Sequence, residues 1–88
     1  MASYRLEFSS SVAKALRAIP NADVARLLAR IQALAENPRP PGCEKLSGLP
    51  RYRIRQGVYR IVYEIRDDVL LVLVVKVGHR RDVYRGAV

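Results

Sequence analysis

Arginine recurs at every second position from Arg51 to Arg55 in the stretch Arg51-Tyr-Arg-Ile-Arg-Gln-Gly-Val-Tyr-Arg60, and a second basic run, Gly78-His-Arg-Arg-Asp-Val-Tyr84, follows near the C-terminus. Strand side chains alternate between faces, so Arg51, Arg53 and Arg55 project from one side while Tyr52 and Ile54 project from the other. If Gln56-Gly57 forms a two-residue hairpin turn, Arg55 faces Val58 and Arg53 lies opposite Arg60. Like charges directly opposite each other destabilise a sheet. A chain that places them there uses them to hold an anion, and the planar guanidinium fork suits phosphate. Arg80 and Arg81 follow Gly78, where the chain can turn back over the same face. Tyr84 then has two readings. Its ring packs against the sheet, or its phenol sits among the arginines and serves as a base. A free phenol has a pKa of about 10, and each unit of lowering takes about 1.4 kcal/mol of interaction with nearby positive charge. Arginine stays protonated and is a poor base. His79 is an acid–base residue by type, but no carboxylate or second histidine pairs with it in the sequence. Tyr4, Tyr52, Tyr59 and Tyr63 read as strand and core packing, and Cys43 as a loop residue.

The charge balance points to the same residues. The chain has 88 residues and a formal net charge of +8. Residues 39–60 hold six Lys/Arg and one acid, residues 76–88 hold four and one, and the remainder is neutral. Charge concentrated this way fits a localised polyanion site, with nucleic acid as the expected partner and a membrane surface or heparin-like polymer as the competitors. Half of the residues are apolar, which argues against disorder and for one domain spanning 1–88. The one cysteine cannot form an internal disulfide, and with no signal peptide at the start the expected compartment is the cytoplasm. No apolar run approaches the ~18 residues of a membrane-spanning helix. One histidine, and no acids or cysteines at ligand spacing, argue against a metal enzyme.

The elements that must position these residues follow from periodicity. Residues 4–8 alternate and predict a first strand. Ser9, Ser10 or Ser11 can cap a short helix carrying Val12, Ala15, Leu16 and Ile19 on one face. Pro20 and Asn21 break the chain. A second helix runs to about Glu36, with Val24, Leu27, Leu28, Ile31, Leu34 and Ala35 as its apolar stripe and Arg26 and Arg30 outside it. Four prolines and two glycines make 37–50 a loop. Strands follow over 51–55, 58–65 and, after an Arg66-Asp67-Asp68 turn, over the apolar run 69–77. The expected class is α+β: an N-terminal strand, a two-helix antiparallel hairpin, a three-stranded antiparallel meander packed on the helices, and a short C-terminal segment. Tyr52, Ile54, Tyr59, Ile61, Tyr63, Ile65, Leu70, Val72 and Val74 face the helices. The other face carries the arginines, with Val62, Leu71, Leu73 and Val75 as an apolar strip beside them.

Lys45-Leu-Ser-Gly-Leu-Pro, the phrase Gly-x-Tyr-Arg-x-x-Tyr at 57–63 and Gly-His-Arg-Arg-x-x-Tyr at 78–84 together resemble the RelE branch of the RelE/ParE toxin superfamily. The resemblance covers essentially the whole chain, including its element order. It implies a type II toxin that enters the ribosomal A site and cleaves mRNA without metal or cofactor, the ribose 2′-hydroxyl attacking the adjacent phosphate. Carried over by position, Arg60 would stabilise the phosphorane, Arg80 would protonate or stabilise the leaving oxygen, and Tyr84 would be the general base. Arg53 and Arg55 would grip the backbone, with Lys45, Arg51 and Arg81 as further RNA contacts. Well-known members carry lysines at the positions of Arg53 and Arg55, so arginine here implies grip rather than proton transfer. The expected partners are the ribosome, mRNA and an acidic RelB-like antitoxin, in a heterodimer or heterotetramer and with no membrane. The antitoxin would lie along Val62, Leu71, Leu73 and Val75. Two other readings stay open: a gyrase poison of the ParE branch, and an RNA-binding module that does not cut.

Overall fold

The computed structural model describes residues 3–79. The elements run β1 (Arg5–Phe8), α1 (Ser10–Arg17), α2 (Asn21–Glu36), β2 (Glu44–Lys45), β3 (Arg51–Gln56), β4 (Tyr59–Arg66) and β5 (Leu71–His79). The strands form one sheet in the order β1-β5-β4-β3-β2, with β1 parallel to β5 and the other neighbours antiparallel. The α+β class is as expected from the sequence, with one strand more. That strand, β2, is two residues long and lies inside a stretch whose prolines and glycines read as loop.

Both helices bury their stripes on one face of the sheet. Val12 of α1 and Leu27, Ile31 and Leu34 of α2 form a core with Ile54, Ile61, Tyr63, Val72, Val74 and Val77. Pro20 separates the helices because it has no N–H with which to continue α1. Its carbonyl instead accepts from the N–H groups of Asp23 at 2.9 Å and Val24 at 3.0 Å, starting α2. Ser9, the residue before α1, does not cap it through its side chain. The hydroxyls of Ser9 and Ser11 donate to the Val75 carbonyl at 3.0 and 3.3 Å. They do so where β5 bulges: Tyr63 pairs with Val74, but Val62 pairs with Lys76, leaving Val75 as the extra residue.

The hairpin register differs from the sequence expectation. The connection is Gly57-Val58, so Arg55 is the partner of Arg60, and Arg53 pairs with Val62. Gly57 has φ of 61°, a left-handed conformation that glycine adopts without steric cost and that draws the turn onto it. The shift moves each pairing by two residues, so no side chain changes face.

The segment before β3 is tied down at several points. The buried Tyr63 hydroxyl donates to the Pro38 carbonyl at 2.7 Å. Arg39 grips both oxygens of Asp67, at 3.3 and 2.9 Å, and Tyr4 donates to the same carboxylate at 2.6 Å. Arg39 and Tyr4 therefore hold the Asp67 carboxyl below its usual range. These contacts hold β2 against β3, where the N–H of Leu46 reaches the carbonyl of Arg51 at 2.8 Å.

Candidate nucleic-acid interface

The face of the sheet away from the helices is built from rows of register partners. Arg5, Leu71 and Arg66 form one row; Glu7, Leu73, Glu64 and Arg51 form the next. Lys76, Val62, Arg53 and Glu44 make a third, and Gly78, Arg60 and Arg55 a fourth. The apolar residues of this face, Leu71 and Leu73 on β5 and Val62 on β4, each lie between charged register partners. Positive charge accumulates toward the β3–β4 turn, where Arg55 and Arg60 stand directly opposite each other and Gly78 contributes no side chain to their row.

The four arginines do not have equal surroundings. Arg51 donates through Nε to Glu64 Oε2 at 3.2 Å, and Arg66 reaches the other oxygen of Glu64 at the same distance. Arg53 donates through Nη2 to Glu44 Oε1 at 2.8 Å. Arg55 is exposed. Arg60 is 8% exposed, the one buried charged side chain among the described residues. A buried guanidinium is costly unless its environment is arranged for it. Glu44 feels the whole cluster. Its hydrogen bond with Arg53, the charge of Arg53, and then the charges of Arg55 and Arg60 hold its carboxyl below the usual glutamate range.

Of the residues proposed from sequence, the fold brings Arg51, Arg53, Arg55 and Arg60 onto one face. Lys45 is not among them: it pairs with Tyr52 and so belongs to the helix-side face, at the exposed edge. Arg80, Arg81 and Tyr84 lie outside the described residues. His79 packs edge-on against Tyr59, with ring centroids 6.3 Å apart. The Tyr59 hydroxyl bonds to Asp23 of α2, and burial together with that carboxylate raises its pKa. This places His79 on the helix side, away from the arginines.

The apolar strip is not the open surface that alternation predicts. Val62 and Leu71 are 4% and 9% exposed. Their register partners are charged residues with long stems, Arg53 and Lys76 for Val62 and Arg5 and Arg66 for Leu71, and such stems cover apolar surface. Leu73 is half-buried, and the bulge takes Val75 out of the row pattern. Sequence reasoning also missed Glu44. Its one signal was compositional: it is the single acid among the six basic residues of 39–60.

A family described as the ParE toxin of type II toxin–antitoxin systems matches residues 6–84. The mRNA interferase toxin RelE of Escherichia coli K12 is 31% identical over 90 residues, spanning 97% of this chain and 94% of its own length. Among solved structures, the archaeal RelE–RelB complex of Pyrococcus horikoshii OT3 superposes with a TM-score of 0.80 at 30% identity, covering 89% of this chain and 96% of that one. The intact Escherichia coli RelBE toxin–antitoxin complex gives 0.77 at 30% identity, covering 88% and 96%.

Proposed function

The chain belongs to the RelE/ParE toxins of type II toxin–antitoxin systems, and from that premise we propose that it is an mRNA interferase, an endoribonuclease that cuts mRNA in the ribosomal A site. The observation that carries this reading is the pairing of Arg55 with a buried Arg60 across β3 and β4, at the basic end of the face. Two like charges held there cost stability, and an RNA phosphate gives them a purpose. In the reaction, the 2′-oxygen forms a bond to the adjacent phosphorus as the bond from phosphorus to the 5′-oxygen breaks. The proton of the 2′-hydroxyl passes to Tyr84, and Arg80 protonates or stabilises the departing oxygen. Arg60 stabilises the charge on the phosphorane, while Arg53 and Arg55 hold the backbone and steady the tyrosinate. Arginine thereby supplies the positive charge that a metal ion brings to other nucleases, so the cleavage is metal-independent. Arg51 and Arg81 add RNA contacts at the margin.

The partner is a small acidic antitoxin, and the toxin acts in the cytoplasm on translating ribosomes. Because Val62 and Leu71 are already covered, charge leads the docking, with acidic side chains over Arg53, Arg60 and Arg80 and Leu73 as the apolar foothold. Primer extension on mRNA after induction tests the reading, with cuts expected inside codons on ribosome-bound message and insensitive to chelators. DNA breaks without mRNA cuts, or ribosome binding without cleavage, would refute it.

A further inference from the structure

Glu44 is the acid of the third row, beside the arginines near the β3–β4 turn, and its setting differs from that of Glu64 in the second row. Glu64 serves two arginines, Arg51 and Arg66, from the interior of β4, and its side chain is 15% exposed. Glu44 sits at the sheet edge on a strand of two residues, and its side chain is 55% exposed against 16% for Arg53. A carboxylate oxygen 2.8 Å from a guanidinium nitrogen stands where a phosphate oxygen would stand. The carboxylate of this pair is open to water and held by a single arginine, so a phosphate can reach and displace it, whereas the Glu64 carboxylate is shielded and held by two arginines and resists exchange. We infer that Glu44 is a built-in counter-anion of the arginine face, occupying Arg53 until an RNA phosphate replaces it and so setting how tightly the face grips RNA. The inference rests on the reading of this face as the RNA grip. Arg53, Arg55 and Arg60 all keep Glu44 ionised, so it remains a competitor at neutral pH and makes a weak base.

The test separates affinity from rate. Binding is measured on ribosomes carrying an mRNA with a 2′-O-methyl group at the A-site cut position, which removes the nucleophile. Single-turnover cleavage is measured at saturating toxin on the unmodified message. Glu44→Gln should tighten Kd by about two- to fivefold, the size of an exposed ion pair, with the saturating rate moving less than about twofold. Glu44→Lys should tighten Kd further, and Glu7→Gln on β1 should change neither quantity. An affinity that does not follow the charge at position 44 while Arg55→Gln weakens binding would overturn the inference and leave the RNA grip standing. If Arg55→Gln also bound normally, the reading of the face itself would fail. Lost cleavage with unchanged Kd in Glu44→Gln would make Glu44 a proton-transfer group instead and overturn the competitor role.

Discussion

Arg60→Met isolates what one guanidinium contributes. Methionine keeps an unbranched stem for packing and removes the charge. Arg60 is 8% exposed, so its charge would act on the phosphorane where water is largely excluded and electrostatic interactions are strong. Removing one donor from comparable oxyanion sites costs about 2.7–4 kcal/mol, which at about 1.36 kcal/mol per decade is 10²–10³ in rate. A cation that acts only through the general field of the protein contributes far less once substrate is bound. Arg66 provides that comparison, because it lies on the same face at the far end, exposed and paired with Glu64. Single-turnover cleavage of ribosome-bound mRNA, with toxin in excess, should fall 10²–10³-fold for Arg60→Met and stay within about threefold for Arg66→Met. Both variants should keep a cooperative melt. Parental cleavage by Arg60→Met, or equal losses in the two variants, would refute the assignment of Arg60 to the transition state.

Tyr84→Phe should slow single-turnover cleavage while leaving ribosome binding nearly unchanged, and a parental rate would return Tyr84 to a packing role. Leu73→Gln should weaken antitoxin binding by about tenfold or more in titration calorimetry, against less than about threefold for Arg26→Glu on α2. Glutamine is preferred to glutamate there because Glu7 and Glu64 are the register partners of Leu73; equal effects of the two variants would move the antitoxin off this face. Tyr63→Phe leaves the buried Pro38 carbonyl without its donor, which costs about 1–3 kcal/mol, or roughly 5–15 °C in melting temperature for a domain of this size. The Leu46 amide should also exchange faster, and a shift below about 2 °C would show that this bond does not anchor the loop.

Much of the architecture is legible because each element carries its own period. The stripe Leu27, Ile31 and Leu34 marks the buried side of α2, and the alternation Arg51-Tyr-Arg-Ile-Arg separates the faces of β3. Facing survives the misplaced hairpin turn because the true register differs by an even number of residues. Strand β2 has no period to read. At two residues it exists through backbone pairing to β3 and the anchoring of the preceding loop by Tyr63 and Arg39, contacts that span the chain. Glu44 was hidden with it. Its role depends on the strand that carries it to Arg53, and composition alone could only mark it as an odd acid among basic residues.

The bulge explains the remaining gap. Val69 to Val75 is apolar at every position, so alternation has no polar mark by which an inserted residue would be noticed. One extra residue at Val75 nevertheless reverses the assignment of everything after it. Val77 joins Ile61 in the core, while Gly78 becomes the register partner of Arg60. Without the bulge, the end of β5 would turn valine toward the arginines and glycine toward the helices. The core would lose a buried side chain, and Arg60 would gain a branched neighbour. Ser9 and Ser11 donate to the carbonyl of the extra residue and so brace the bulge, and the start of α1 thereby supports the geometry of the arginine face from the opposite side of the sheet.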